Sequence, residues 1–483
     1  MKNLLIRAGM SPLDSFDAAT VINRNSIGRN VGNLVYQYGV CRTLWTDQVE
    51  SITPNYYKSL QDKADEINEK YDAFIIPLAD AFRADFMPEL RNLTSLIRML
   101  KIPCVVIGVG LRAPFDTGEK LSYPFDEDIR DFMKAVLEKS AMIGLRGEFT
   151  SQYLTNLGFR EGVDHTVIGC PSMYSNGPEM KIRELNLNEN SRISINRNVL
   201  NDAGVQGFLD RVEEQYADHY FLPQILAELR LLYAGLPYYH KQKGGKYGYY
   251  PTTLADQIYA DDRVKFFLNV PTWREFLSTV DLSVGTRLHG NITATISGAP
   301  ALLIAHDART RELTDYHHLT HVWAKDITEK TDLAELVAKL DFQEVSRYHK
   351  ANFDHFVDFL DKNGLDHIYK NGECPAEAPL DRLIKEANLQ PPVVSALHCT
   401  TQELALRLNE VMPQIDKNSE KYKNDNVKLK GIASDSKREV AKMKEELKAK
   451  QKELDQLKKE LKAEQQRPLK DIVVRKIKNK LNK

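Results

Sequence analysis

Short apolar runs alternating with stretches of helical spacing set the pattern of residues 1–180. "YDAFIIPLAD" (71–80), "IPCVVIGVG" (102–110), "SAMIGLRG" (140–147) and "HTVIGCPS" (165–172) are continuous apolar runs that end in a polar or glycine-containing turn. Between them lie "DEDIRDFMKAVLEKS" and "GEFTSQYLTNLG", whose apolar residues recur every three or four positions. Buried strands separated by amphipathic helices predict βαβ units on a parallel sheet.

"RISINRN" (192–198) opens a second round of the same pattern. It continues through the helical "YADHYFLPQILAELRLLYAG", a strand near "VKFFLNV", the helix "PTWREFLSTV" and the strand-to-helix turn "DLSVGTRLHG" (281–290). "GNITATISGAPALLIAHD" predicts a helix ending near Gly298 and then a strand, and "FQEVSRYHKANFDHFVDFLDKNG" predicts a long helix. The expected organisation is an N-terminal α/β domain over 1–180, a linker in the 180s and a second α/β domain over 190–370. The cleft between the domains is the expected binding site. "NGECPAEAPL" and "NLQPPVV" predict an exposed connector over 371–415.

From 416 the pattern changes period. Val440, Met443, Leu447, Leu454, Leu457 and Leu461 alternate at steps of three and four, with Lys450 in one slot. This a/d seam of about three heptads predicts a short coiled coil or a long solvated helix over 416–466, and the coiled coil would make a homo-oligomer. Pro468 is expected to break the helix. The tail 467–483, "RPLKDIVVRKIKNKLNK", carries seven basic residues against one acidic, with Leu469, Ile472, Val473, Ile477 and Leu481 on one half of a helical wheel, on which Lys470, Lys476 and Lys480 intrude. Such a segment suits an anionic membrane surface.

Composition narrows the class. The 483 residues carry a formal charge of −1, which argues against nucleic acid as a partner. Five cysteines (41, 104, 170, 374, 399) are scattered with no CxxC pair, as expected of reduced thiols in a cytoplasm. The apolar run after Met1 is short for a signal peptide, and nothing in the sequence has the length of a membrane span. The expected location is cytoplasmic, and the basic tail leaves peripheral attachment at the inner face of a membrane open.

The candidate chemistry lies in "DLSVGTRLHG". Arg287 is a fixed cation with a planar donor fork and His289 is a proton carrier; both follow a strand end, where ligands of parallel α/β domains sit. Arg146 in "GLRGEF" and Arg197 in "SINRN" occupy equivalent strand ends. Three arginines directed at one cleft predict a ligand bearing carboxylate or phosphate groups.

"VGTRLHGNITATISGAPALLIAHDARTREL" resembles the signature of the polysaccharide pyruvyl transferase family, with its R-x-H turn, small-residue helix, G-x-P and hydrophobic strand. "GLRGEFTSQYLTNLGF", "VIGCPSM" and "GRNVGNLVYQYGV" are similar to further elements of that family. The resemblance covers roughly residues 25–320. It implies an α/β fold of two Rossmann-like domains in a glycosyltransferase-B-like arrangement, here with a C-terminal coiled-coil helix added. It also implies transfer of the pyruvyl group of phosphoenolpyruvate to a sugar of a cell-surface polysaccharide precursor as a ketal, with no cofactor and no metal. Carried over, Arg146 and Arg287 bind the donor's carboxylate and phosphate, Leu288 contributes its backbone and His289 does the acid–base work. Asn33, Asp80 and Arg112 are acceptor contacts by position. Three first-domain turns depart from the family pattern: "GNLVYQYG", "PLADAFR", and Cys170 where relatives carry an acid.

Two other function classes fit the same frame. One is a nucleotide-sugar-dependent glycosyltransferase and the other a non-catalytic coiled-coil scaffold. "GVGLRA" (108–113) matches a dinucleotide fingerprint, but Pro114 and the loop after it stand where the helix should begin. His317, His318 and His321 lack a carboxylate at ligand spacing and read as packed or surface residues.

Overall fold

The computed structural model describes residues 1–112, 122–237, 250–465 and 469–481. The chain divides into two compact units, Met1–Val411 and Met412–Lys483.

Two parallel sheets organise the first unit. The first contains β1 (Lys2–Ile6), β2 (Val49–Pro54), β3 (Ala73–Pro77) and β4 (Cys104–Ile107) in the order β2-β1-β3-β4. A further parallel pair, β5 (Ile143–Leu145) and β6 (His165–Val167), joins it beside β4 through the Val109–Leu145 bridge. The second sheet contains β7 (Ile193–Asn196), β8 (His219–Phe221), β9 (Leu282–Gly285), β10 (Ala301–Ala305) and β11 (His321–Trp323) in the order β11-β10-β9-β7-β8. Their central strands are buried on both faces, although β7 and β9 carry Ser194, Asn196 and Ser283 on one of them, and each sheet has its own buried apolar cluster.

Strand order reverses direction between β1 and β3 in one sheet and between β7 and β9 in the other. At such a switch point the two flanking connections leave on opposite sides, opening a crevice at the carboxyl ends of the strands. Asp80 follows β3, Arg197 follows β7 and Arg287 follows β9, so three candidate residues fall at these positions.

The helices expected at 126–137, 148–156, 270–278, 288–296 and 344–362 are present. Three local expectations are corrected. Residues 219–221 are strand β8 and not helix; the helix begins only at Leu226, after Pro223 has interrupted the apolar run. "VKFFLNV" is not a strand: only Val264 bridges Phe221. Asn269 then caps the next helix by accepting from the Thr272 N–H at 3.0 Å. The connector is docked and not simply exposed. It contains the helix Pro379–Glu386, whose Asp381 pairs with Arg42 at 2.6 Å, and Leu380 is buried.

The helix Thr401–Gln465 continues from the first unit into the second, and the second unit also contains the helix Leu469–Leu481. Met443, Leu447, Leu454, Leu457 and Leu461 are exposed along it. Pro468, expected to break this helix, lies outside the described residues, as do residue 466 of the predicted coil and residues 467, 482 and 483 of the tail. Most of the loop after "GVGLRA", from residue 113 to 121, also lies outside them. No helix among the described residues is long and apolar enough to cross a membrane.

Candidate functional site

The turn after β9 is built from the backbone outward. Gly285 has φ +147°, and a side chain there would place Cβ 1.8 Å from the Asn196 carbonyl oxygen, so only glycine lets β9 approach β7 this closely. Asn196 accepts from the Arg287 N–H at 2.8 Å and interlocks with Ser283 and Asn291. This buried amide network fixes the start of the helix Leu288–Ile296, whose first turn leaves N–H groups without intrahelical acceptors.

His289 sits in that first turn and faces the other sheet's strand ends. Its Nε2 lies 3.4 Å from Arg146 Nη2 and 3.8 Å from Cys170 Sγ. Gly32 makes room for it: a Cβ there would be 2.8 Å from His289 Cβ. Arg146, immediately after β5, is 1% exposed, with its guanidinium 4.9 Å from the Tyr36 ring centroid. Its Nε has no hydrogen-bond partner, and no carboxylate among the described residues lies within ion-pair distance. The structure therefore joins Arg146 and His289, which sit 143 residues apart in the chain.

Arg287 is held differently. Its Nε donates to the Arg197 carbonyl at 3.2 Å, and Nη2 lies 3.8 Å from Glu228 Oε1. Glu228 is buried and already accepts from the Gln224 and Ile225 N–H groups and from the Tyr250 hydroxyl, so Arg287 retains capacity for another anion.

Arg197 is a correction. Its guanidinium is buried in two ion pairs with the helix Ala203–Gln215, 2.7 Å to Asp210 and 2.6 Å to Glu213. It holds that helix to β7, and its main-chain carbonyl, not its charge, reaches the site. Asn33 is also spent locally. Its amide donates to the Ile27 and Gly28 carbonyls at 3.0 and 3.3 Å, stapling the turn before the helix Gly32–Leu44.

Asp80 is the hub of a cationic cluster: Arg112 lies at 2.7 Å, Arg83 at 3.1 Å and Arg309 at 3.6 Å. Burial alone would raise this carboxyl, but Arg309, Arg112, Arg83 and Arg146 outweigh it and hold it down at about 2. Arg112 is half exposed and engaged with Asp80 through both Nε and Nη2. Leu288 is buried and begins the helix, so its backbone is its contribution.

Burial drives the His289 imidazole well below its ordinary range; Arg146 and Arg309 add to this and Asp80 opposes it. The ring is therefore neutral at neutral pH and can accept a proton.

Two important residues escaped sequence reasoning, both on the helix Ala308–His317. Arg309 links Asp80 to Asp307, at 3.6 and 3.3 Å, and its field reaches His289 and His306. Glu312 is buried and accepts from the Thr150 hydroxyl at 3.0 Å and the Thr150 N–H at 3.2 Å. Burial raises its carboxyl to about 7, although the Thr150 hydrogen bonds and Arg146 oppose the shift. "HDARTREL" ends the family-like stretch, and that position was the available clue to Arg309. Nothing in the local spacing marks Glu312 as buried.

The three histidines of "YHHLTH" diverge. His317 Nε2 accepts from the Cys170 N–H at 2.7 Å, His318 stacks on Tyr348 and His321 packs on Trp323. Among the described residues no group of three His, Cys, Asp or Glu side chains could hold a metal ion.

The sequence profile of the polysaccharide pyruvyl transferase family matches residues 34–308. This span is more than half of the chain and includes both Arg146 and the Arg287–His289 turn. The chain belongs to the polysaccharide pyruvyl transferase family. No curated protein matches it in sequence. Among solved structures it is similar to Staphylococcus aureus MnaA with UDP, at 12% identity and TM-score 0.40, over 78% of this chain and 99% of that one. UDP-GlcNAc 2-epimerase of Neisseria meningitidis, bound to UDP-GlcNAc, gives 12% and 0.38 over 75% and 100%. Anabaena Alr3699/HepE, with UDP and glucose, gives 10% and 0.33 over 87% and 99%. These likenesses are too remote to carry an argument about this chain.

Proposed function

We propose that this chain transfers the pyruvyl unit of phosphoenolpyruvate to two hydroxyls of a saccharide in a cell-surface polysaccharide precursor, forming a cyclic ketal and releasing phosphate. The observation that carries the reading is Arg146: a buried guanidinium with no carboxylate at ion-pair distance among the described residues, set against the neutral imidazole of His289. A buried cation is costly unless an anion compensates it, so the site is organised around an anionic ligand. On this reading the donor lies against Arg146, His289 and the turn that carries Arg287, and the acceptor lies on the side of Asp80.

The chemistry balances without an external reductant or oxidant. The methylene carbon of the enol phosphate gains a proton, and one sugar hydroxyl attacks the adjacent carbon and loses its proton. The second hydroxyl then displaces phosphate; of the two hydroxyl protons, one balances the new methyl group and the other leaves with phosphate. His289, neutral at the outset, accepts a hydroxyl proton and passes it on. Arg146 and Arg287 meet the donor's carboxylate and phosphate, and the N–H groups of the first helical turn add partial positive charge. Asp80, ionised throughout the physiological range, is a hydrogen-bond acceptor for a sugar hydroxyl, and Arg112 lies beside it.

Incubation with phosphoenolpyruvate and a panel of glycans bearing vicinal or 4,6-diols tests the reaction. Phosphate release matched by a new acid-labile ketal supports it. Transfer from a UDP- or GDP-sugar instead would replace it with glycosyl transfer.

A further inference from the structure

We infer that residues 443–461 form a parallel, in-register, two-stranded coiled coil with a second copy of this chain. The inference stands apart from the catalytic reading. Met443, Leu447, Leu454, Leu457 and Leu461 lie on one stripe of the helix Thr401–Gln465 and are 46–72% exposed in the single chain. Five large apolar side chains on one stripe, at three- and four-residue steps except where Lys450 interrupts them, are an interface lacking its partner.

Charge identifies the partner and its direction. With Leu447, Leu454 and Leu461 at a and Met443, Lys450 and Leu457 at d, the g positions are Glu446, Glu453 and Glu460, and the e positions are Lys444, Gln451 and Lys458. In a parallel pair each g faces the e of the partner's next heptad, so Glu453 meets Lys458 and Glu446 meets Gln451. In an antiparallel pair g faces g and e faces e, setting glutamates against glutamates and lysines against lysines. Lys450 sets the register. Aligned strands place both copies of it in one layer, where their long stems reach solvent; a one-heptad slip spoils two layers and loses a heptad of overlap. The basic helices Leu469–Leu481 of both copies then leave from the same end of the coil.

Sedimentation equilibrium of the full chain at roughly 10 μM tests the assignment. The expected mass is twice 55.2 kDa, falling to 55.2 kDa when Leu447→Glu and Leu454→Glu are combined, with unchanged circular dichroism from the catalytic unit. Lys458→Glu and Glu453→Lys each oppose like charges in their own dimers, and mixing the two chains restores complementary pairs. Mixed chains are therefore expected to associate at least several-fold more tightly than either alone. A monomeric wild type, a dimer that survives the double leucine variant, a trimer or larger, or mixed chains no tighter than the separate ones would each overturn the proposal.

Discussion

Burial and the neighbouring Arg146 set the charge of His289. The guanidinium is locked as a cation by its chemistry, and with burial it keeps the imidazole neutral. An anion entering the site reverses that balance, because it compensates Arg146 and favours imidazolium. Ring-proton NMR, assigned by difference against His289→Asn, is expected to show a His289 midpoint below 6.5 in the free protein, moving upward when phosphoenolpyruvate binds. A midpoint at or above 6.5 in the free protein would contradict the geometry. Glu312 carries the opposite shift. Its carboxyl is raised to about 7 from 4.5, so its contribution to stability is full below pH 4.5 and is lost as pH rises to 7. The shift corresponds to a loss on the order of 3 kcal/mol. Glu312→Gln, which keeps an acceptor for Thr150, should therefore flatten the decline in Tm between pH 5 and 8 that the wild type shows. Parallel Tm curves for the two proteins would show that Glu312 is not held in this way.

At the scale of elements, the helix Ala308–His317 does most to join the two sheets at the site. It sends Arg309 to Asp80, Glu312 to Thr150 at the start of the helix Glu148–Asn156, and His317 to the Cys170 N–H. Arg309→Ala leaves Asp80 with Arg112 and Arg83. It is expected to raise the donor Kd roughly tenfold, about 1.4 kcal/mol, with little change in Tm, as read by calorimetric titration. Most strands and helices were legible in the sequence because parallel strands buried on both faces are long apolar runs and the covering helices repeat every three or four residues. β8 was not, because a three-residue strand before a proline looks like the start of the helix beyond it. "VKFFLNV" failed for the opposite reason: Phe266, Phe267 and Leu268 are buried by packing without joining a ladder. The basic helix Leu469–Leu481 carries exposed Val473, Val474, Ile477 and Leu481 beside Lys476, Lys478 and Lys480. We propose that this helix rests on an anionic membrane surface. Full-length protein should float with phosphatidylserine-containing vesicles and not with neutral ones, and deletion of 467–483 should abolish flotation; equal flotation of both proteins would remove the assignment.

For the molecule as a whole, the site is assembled from distant stretches of chain, and this decided which of its residues could be read in advance. Arg287 and His289 were visible because one turn holds both. Arg146 was visible because a strand end of the first sheet presents it. Arg197 looked equivalent in sequence, yet Asp210 and Glu213 on the following helix claim its charge, and no local pattern reveals that pairing. A buried cation with no carboxylate at ion-pair distance among the described residues is the feature on which the proposed activity depends, so the most direct measurement is calorimetric titration of phosphoenolpyruvate into the wild type and into Arg146→Ala. Saturable binding by the wild type, weakened at least a hundredfold in Arg146→Ala while UDP- and GDP-sugars give no heat, is the predicted result. Equal affinity in both proteins, or binding of nucleotide sugars alone, would contradict it.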